Sequence, residues 1–159
     1  MLESDIGDLL RKKQLKVGTV ESATGGLIAH RITAVSGSSQ YFLGSVVAYS
    51  NSIKEGVVGV DKQTMREHGA VSAEAAEEMA EKGRRLLGVD ICLADTGIAG
   101  PTGGSPAKPV GLFYLGLSSA DGTQCRRYMF YGDRTENKKQ AAEAALKWLK
   151  EHLASCTSP

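Results

Sequence analysis

The spacing of apolar residues in the first part of the chain changes from helical to extended and back to helical. Ser4 can cap an amphipathic helix over residues 4–14. Residues 16–21 are short and rich in β-branched side chains, which predicts a strand. The pair Gly25-Gly26 then precedes a second helical pattern over 27–35. This part of the chain therefore predicts a strand-turn-helix unit.

The middle of the chain predicts one strand and three helices. They are a strand over 44–48, a short helix over 51–58, a helix that Asp61 caps and that ends near Gly69, and a long helix from Ser72 to Leu87. The long helix is amphipathic, because Ala76, Met79 and Ala80 share one face and charged residues lie on the other.

The last third begins with a segment, residues 89–95, that is apolar at nearly every position, as in a central strand covered on both faces. A glycine-rich loop over 96–104 follows directly. Segments 110–118 and 124–130 flank Asp121-Gly122, which predicts a hairpin with a type I′ turn. The sheet is therefore mixed.

The last predicted helix begins at Asp133, and residues 155–159 form a frayed tail. These elements predict an α/β fold, and 159 residues fit a single domain over 1–159. Glycine is unusually frequent, at 19 residues, where roughly 7% is usual. We therefore expect close backbone approach in at least one place.

Composition excludes several function classes. A formal charge of +1 and only 6% aromatic residues argue against direct nucleic-acid binding and against attraction to an anionic membrane. Cys92, Cys125 and Cys156 are widely spaced, which predicts neither a disulfide framework nor a thiolate zinc site. No segment approaches the roughly 18 apolar residues of a membrane helix. We expect a cytoplasmic protein with no metal and no cofactor, since other metal-ligand spacings are also missing.

Three groups of residues are candidates for chemistry. In the first, Ser22 leaves a strand where the turn Thr24-Gly25-Gly26 starts a helix. Backbone N–H groups at a helix start can bind a phosphate or stabilise an oxyanion. The spacing matches neither the α/β-hydrolase elbow nor a Walker loop, so Ser22 or Thr24 acting only as a helix cap remains an alternative.

The second group is Tyr49 and Lys54, at another strand end and helix start. A serine needs a base, and His30, His68 and His152 lie on predicted helices among charged residues, so a Ser-His triad is unsupported. A lysine can replace histidine where burial lowers its pKa by roughly 3 units, and a tyrosine hydroxyl can relay the proton. A solvated surface lysine is the alternative.

The third group is the 96–104 loop with Lys108, together with Asp133 and Arg134 at the start of the last helix. Glycines let backbone amides wrap a phosphate or a flat ring, and a guanidinium can hold a phosphate with two hydrogen bonds. A tight turn and a helix cap are the structural alternatives.

Seven motifs occur in an order that resembles the CinA C-terminal domain family, over about residues 5–153. They are Glu21-Ser-Ala-Thr-Gly-Gly26, Gly37-Ser-Ser39, Tyr49-Ser-Asn-Ser-Ile-Lys54, His68-Gly-Ala-Val-Ser72, Thr96-Gly-Ile-Ala-Gly-Pro101, Lys108-Pro-Val-Gly111 and Gly132-Asp-Arg134. The resemblance implies a three-layer α/β/α domain. The chain resembles the stand-alone form of the family, which lacks the molybdopterin-binding-like domain that precedes this one in longer members. In active members it implies hydrolysis of nicotinamide mononucleotide to nicotinate mononucleotide and ammonia.

Residue by residue, the resemblance implies Ser22 as nucleophile, Lys54 as general base and Tyr49 as assisting hydroxyl. The substrate-binding residues that it implies are Thr24, Gly25, Gly26, Thr96, Gly97, Ala99, Gly100 and Arg134. The chain departs from the family at Ala23, where many members have cysteine, and at Asp95, where a small or apolar residue is common.

The implied mechanism is amide hydrolysis through an acyl-enzyme, with the oxyanion held by the 24–26 amides or by the loop near Thr96. The expected partner is a small-molecule nucleotide, and we expect a homo-oligomer. Two alternatives stay open. One is a nucleotide-binding regulatory module without turnover, and the other is an interaction protein of DNA uptake or repair, suggested by the family's competence-related name.

Overall fold

The computed structural model describes residues 1–156 as helices packed on one five-stranded sheet. The helices are α1 Leu2–Lys13, α2 Leu27–Thr33, α3 Asn51–Ile53, α4 Lys62–His68, α5 Ala73–Leu87 and α6 Arg134–Ser155. The strands are β1 Val17–Glu21, β2 Phe42–Val47, β3 Ile91–Gly97, β4 Leu112–Ser119 and β5 Gly122–Met129. A short 3₁₀ helix spans Ser38–Gln40, and a π-helical turn over Lys54–Val58 continues α3. No helix in this part of the chain is long and apolar enough to cross a membrane.

The sheet is mixed, as the sequence predicts, with strand order β2-β1-β3-β4-β5. β1 runs parallel to β2 and to β3, whereas β4 is antiparallel to β3 and to β5. β1 is buried at all its positions, and β3 is buried at all but Gly97. These two strands are therefore the centre of the domain, which agrees with the apolar run at 89–95.

Helices cover both faces of the sheet, which confirms the three-layer α/β/α architecture. α1, α2 and α6 pack together on one face, where Leu10 and Leu149 are fully buried. α5 covers the other face, where Val20 and Met79 meet in a second apolar cluster, and α4 packs against α5. Gly116 on β4 lies against the backbone of α5 without room for a Cβ, so one glycine is explained by close packing.

The helix caps at Asp61, Ser72 and Asp133 are confirmed, because each side chain accepts a backbone N–H of the first turn that follows. The cap predicted at Ser4 is wrong: α1 already begins at Leu2, whose side chain packs on the core. The tail prediction is wrong at residue 155, which is still helical. Residues 157–159 lie outside the described part.

The hairpin between β4 and β5 is confirmed, but its predicted type I′ turn is wrong. Ser119 pairs with Gly122, so the two turn residues are Ala120 and Asp121. A type I′ turn needs a positive φ at both of these residues, and neither has one. The positive φ of 122° belongs to Gly122 at the start of β5. The glycine therefore relieves strain one position later than the sequence pattern suggests.

Candidate active site

Three parallel strands end at the same edge of the sheet, and a candidate site lies there. Ser22 follows β1, Tyr49 comes two residues after β2, and Thr96 is near the end of β3. Open α/β sheets bind ligands outside the carboxyl ends of their strands. In this protein that edge bears a cavity of about 300 Å³, which is at the lower end of the range for small-molecule sites.

Most of the residues predicted to act in catalysis or binding line this cavity. They are Ser22, Tyr49, Lys54, Thr96, Gly97, Ala99, Gly100 and Arg134. The cavity wall also contains Ile98, Thr102 and Gly103 of the 96–104 loop, and three residues to which the sequence assigned no role: Ala23, Ala70 and Val71. Thr24, Gly25 and Gly26 do not line it and instead border a neighbouring depression with His30.

Ser22 is almost buried, and a carboxyl group from the next strand holds its backbone. The Ser22 N–H donates to Asp95 Oδ1 over 3.0 Å, and the Thr24 N–H donates to Asp95 Oδ2 over 3.1 Å. Asp95 itself is fully buried. Burial is the main reason that the pKa of Asp95 is raised to about 6. Asp95 therefore fixes the turn that presents the serine.

A second buried carboxyl group, Glu21, satisfies the start of α2. Its oxygens accept the N–H groups of Gly26, Ile28 and Ala29 over 2.9–3.1 Å. The positive end of this helix is thus occupied by the protein's own acid. The predicted phosphate or oxyanion site at this helix start is therefore wrong.

Each backbone N–H of residues 24–26 also has its own hydrogen-bond acceptor within the protein. The Thr24 N–H goes to Asp95, the Gly25 N–H goes to the Ser22 carbonyl over 3.0 Å, and the Gly26 N–H goes to Glu21. The Thr24 side chain is equally occupied, because its hydroxyl contacts both carboxyl groups. This turn therefore shapes the site without presenting free donors to it.

Lys54 is the first residue of the π-helical turn and is only 2% exposed. Its Nζ donates to the Tyr49 carbonyl over 3.0 Å. Burial lowers the pKa of Lys54, and the nearby Asp95 carboxyl opposes that shift. The alternative of a solvated surface lysine is wrong, since the chain folds this residue into the cavity wall.

Tyr49 and Arg134 meet at the exposed rim of the cavity. Arg134 donates one N–H to the Tyr49 hydroxyl over 3.0 Å and another to the Gly100 carbonyl over 2.9 Å. The Tyr49 side chain is 61% exposed. Its hydroxyl therefore lies with the guanidinium, and Lys54 contacts Tyr49 through the backbone carbonyl.

Side-chain hydrogen bonds anchor the glycine-rich loop at several points. Asn137 donates to the Ala99 carbonyl over 3.0 Å, and the Thr96 hydroxyl donates to the Ala70 carbonyl over 2.7 Å. Lys108 donates to the His68 carbonyl and does not line the cavity, so its place in the third candidate group is wrong. The loop is thereby tied to α6 and to the α4–α5 turn.

The histidines take no part in the cavity. His30 and His68 are exposed, as predicted, whereas His152 is half-buried, and burial lowers its pKa. His152 lies with Asp121 and Cys156, and their potential metal-ligand atoms are all within 4.8 Å of one another. This cluster was not predicted from the sequence, although Cys156 follows His152 by four residues at the end of α6, which was a visible signal.

The roles of Glu21 and Asp95 were also missed. The available signal was that each acid ends or interrupts an otherwise apolar strand, at the edge where ligands bind. An acid at such a position is buried with the strand, so it must find hydrogen-bond donors. In this chain the donors are the amides and the hydroxyl of the Ser22 turn.

Comparison with known proteins gives consistent relatives. The profile of the CinA C-terminal domain matches residues 1–153. A CinA-like protein of Salinibacter ruber is 52% identical over 153 residues, which cover 96% of this chain and 37% of that protein. A CinA-like protein of Geotalea uraniireducens is 44% identical over 157 residues, which cover 99% of this chain and 37% of that protein. The chain thus spans little more than a third of these curated relatives.

Solved structures agree in fold along nearly the whole chain. The competence damage-inducible protein A (ComA) of Klebsiella pneumoniae superposes with a TM-score of 0.94 at 31% identity, covering 98% of this chain and 97% of that one. The competence/damage inducible protein CihA of Agrobacterium tumefaciens gives 0.85 at 37% identity, covering 95% and 96%. By profile, sequence and structure, the chain belongs to the CinA C-terminal domain family.

Proposed function

We propose that this domain hydrolyses the carboxamide of nicotinamide mononucleotide, with Ser22 as nucleophile and Lys54 as general base. One observation carries the proposal: Ser22 and the buried Lys54 line the same cavity at the carboxyl ends of the parallel strands. The substrate is the one that the family resemblance implies. The cavity volume of about 300 Å³ suits the pyridine carboxamide, with the rest of the nucleotide at the open rim.

The burial of Lys54 supports a role as base. A lysine abstracts a proton only in its neutral form, and burial favours that form by lowering the pKa of the amine. None of the cavity-lining residues in the described chain is a histidine. Lys54 is therefore the group best suited to accept the Ser22 proton.

The proposed reaction has two stages, formation of an ester on Ser22 and hydrolysis of that ester. Ser22 Oγ bonds to the carboxamide carbon while its proton passes to Lys54, and the tetrahedral intermediate collapses by breaking the C–N bond. Lys54 returns the proton to the leaving nitrogen, which departs as ammonia. Water then attacks the ester with Lys54 as base, and nicotinate mononucleotide leaves as Ser22 regains its proton.

Ala23 is our candidate for holding the oxyanion. It lines the cavity directly after the nucleophile, the position whose backbone N–H serves this purpose in α/β-hydrolases. The amides of residues 24–26 cannot serve without breaking an existing hydrogen bond. A donor of this type is worth about 10²–10³ in turnover.

Arg134 is our candidate for phosphate recognition. It stands at the rim, and two of its five N–H donors are used by Tyr49 and Gly100. The remaining donors can form charge-assisted hydrogen bonds to a phosphate. Tyr49 then acts by orienting Arg134 as well as by any contact with the substrate.

A nucleotide-binding module without turnover is a second candidate. It is favoured by the position of the Tyr49 hydroxyl, which contacts Arg134 in place of the Ser22–Lys54 pair. The binding functions of the cavity would survive in such a module while proton transfer would not.

One experiment separates the two candidates. The purified protein is incubated with nicotinamide mononucleotide, ammonia is measured enzymatically, and binding is measured by calorimetry on the Ser22→Ala variant. Ammonia release by the unmodified protein that disappears in the variant supports the hydrolase. Binding without ammonia release would establish the second candidate.

The free state of all three cysteines supports a reducing, cytoplasmic setting for either activity.

A further inference from the structure

Two buried carboxyl groups share one threonine hydroxyl beside the proposed catalytic pair. Thr24 Oγ1 lies 2.7 Å from Glu21 Oε1 and is also within hydrogen-bond distance of Asp95 Oδ1. Glu21 and Asp95 are both fully buried. Water therefore does not supply a further hydrogen to either contact.

The hydrogen count requires one extra proton. A threonine hydroxyl carries a single hydrogen, and an ionised carboxylate only accepts. The hydrogen can therefore satisfy one of the two contacts, and the other would bring two acceptor oxygens together. A proton on one carboxyl group resolves this, because that group then donates to Thr24 Oγ1.

The remaining contacts indicate which acid is protonated. Glu21 accepts three backbone N–H groups at the positive end of α2 and a hydroxyl from Thr19 over 3.0 Å. These donors stabilise its ionised form. Apart from the shared Thr24 hydroxyl, Asp95 has two donors, the N–H groups of Ser22 and Thr24. The extra proton therefore belongs on Asp95.

We propose that Asp95 is a positioning residue that holds the Ser22 turn in its protonated, neutral form, by donating to Thr24 while accepting the two backbone amides. The catalytic part of this inference rests on the proposed function. Its consequence concerns Lys54: a neutral Asp95 leaves Lys54 without an ionised partner, whereas an ionised Asp95 would hold the lysine in its charged form.

The charged groups that act on this pair support the assignment. The charge of Glu21 on β1 acts to raise the pKa of Asp95, and the charge of Asp95 acts to raise the pKa of Lys54 on the π-helical turn. Burial raises the pKa of Asp95 to about 6, although the Thr24 hydroxyl acts to lower it. This shift is in the direction of the neutral form that the hydrogen count requires.

The first test observes the proton directly and needs no activity. Carbon-13 NMR follows the side-chain carboxyl groups of the whole protein from pH 3 to pH 9, and Asp95→Asn identifies the Asp95 signal. We expect Asp95 to remain mostly protonated at pH 7, as the hydrogen count requires. A midpoint at or below about 6 would leave Asp95 mostly ionised at neutral pH and would overturn the proposal.

The second test uses the pH dependence of hydrolysis. If Asp95 is neutral, Asp95→Asn leaves the midpoint of the rise of kcat with pH, which we assign to Lys54, unchanged. If Asp95 is ionised, removing its charge lowers that midpoint by roughly one pH unit or more. We also expect kcat to fall about tenfold with KM little changed, because an amide offers one oxygen to two backbone donors. Asp90→Asn, at the opposite end of β3, is the matched control.

These outcomes separate the two proposals. Absence of hydrolysis by the unmodified protein refutes the proposed function, while the NMR midpoint still decides the protonation of Asp95. A kcat midpoint that moves down in Asp95→Asn refutes the neutral Asp95 even where hydrolysis is confirmed.

A different observation supports a second inference, at the far end of α6. His152 and Cys156 lie one turn apart, with His152 Nε2 3.3 Å from Cys156 Sγ, and Asp121 approaches them from the β4–β5 turn. A nitrogen, a sulfur and a carboxylate oxygen at such spacing form a ligand set suited to zinc. We infer that these three residues bind a divalent cation of the zinc type.

The surroundings are compatible with a cation. Lys13 and Arg84 border the same depression, but Lys13 donates to the Cys156 carbonyl and Arg84 donates to Ser118. The end of α6 also favours positive charge.

Cobalt serves as the probe in the test of this site. The whole protein is treated with a chelator, freed of it, and titrated with Co²⁺ and then Zn²⁺ while thiolate-to-cobalt absorption is recorded. We expect an absorption band that is lost when zinc displaces cobalt. The band should be absent in Cys156→Ser and persist in the control Cys125→Ser. The affinity for Co²⁺ should fall at least tenfold in His152→Ala. Absence of the band in the unmodified protein, or its survival in Cys156→Ser, would overturn the site.

Discussion

Replacement of Lys54 tests whether this residue acts as a base. A base must be able to lose its proton and its charge, whereas a purely electrostatic role requires only that the charge is present. Lys54 is 2% exposed, and burial lowers the pKa of its amine. Lys54→Met keeps the length and apolar stem of the side chain but removes the proton acceptor. Lys54→Arg keeps a positive charge that cannot be given up near neutral pH.

The expected loss of activity is large in both variants. A general base contributes about 10²–10⁴-fold to the rate, which corresponds to about 2.7–5.4 kcal/mol of activation free energy. We therefore expect kcat to fall by this factor in Lys54→Met and nearly as far in Lys54→Arg. In the unmodified protein, the rate should rise with pH through a lysine pKa below its ordinary value.

Stability should change in the opposite direction. Because the folded-state pKa of Lys54 is lowered, the unfolded chain binds more protons between that pKa and about 10.5, so this group adds stability as pH rises through that window. At neutral pH its burial is a cost. Replacing buried charge by an apolar group is often neutral or stabilising by about 1–4 kcal/mol, and losing the hydrogen bond to Tyr49 removes about 1 kcal/mol.

The assay combines initial rates of ammonia release with urea unfolding at pH 7 and pH 9. Lys54→Met should lose about 10²–10⁴-fold in kcat and be equally or more stable, with a smaller gain in stability between the two pH values than the unmodified protein shows. Substantial activity of Lys54→Arg would refute the role of Lys54 as base. A Lys54→Met variant that unfolds would refute the argument that this lysine is kept for chemistry at the expense of stability.

Three further predictions concern other parts of the chain. Ser22→Ala should abolish hydrolysis and leave the urea midpoint unchanged, since one oxygen is lost; hydrolysis near the normal rate would exclude a serine nucleophile. Arg134→Ala should narrow a preference for nicotinamide mononucleotide over its riboside, which we expect to be roughly ten- to a hundredfold from one phosphate contact; a preference that survives would place the phosphate elsewhere. Gly116→Ala should destabilise the fold by about 1–3 kcal/mol in urea unfolding, because its Cβ meets the backbone of α5, whereas Gly56→Ala has open space and should not.

Local patterns identified most elements of the fold because those elements depend on neighbouring residues. Asp61, Ser72 and Asp133 each cap the helix that the sequence assigns to them. The apolar run at 89–95 placed β3 at the centre of the sheet. The turn type of the hairpin was predicted wrongly, because a change in strand register moves the turn by one residue without changing the sequence pattern that predicts the hairpin.

Long-range contacts decided what the sequence could not show at the site. Gly25 and Gly26 indicate a helix start that can receive an anion, but Glu21 from the preceding strand already fills that position. Similarly, Tyr49 stands in a motif with Lys54, yet its hydroxyl is oriented by Arg134 from the far end of the chain. Both outcomes depend on side chains that become neighbours only after the sheet and α6 have assembled.

The two cationic residues of the cavity show how environment divides their roles. Lys54 is buried, so its charged form is disfavoured and it can exchange a proton. Arg134 stands at the exposed rim, where its guanidinium presents several donors in one plane. Exchanging the two residues would place a permanent charge in the interior and a titratable amine in solvent. The same two charges would then serve neither proton transfer nor phosphate binding, so the depth of each residue in the cavity, more than its type alone, assigns its function.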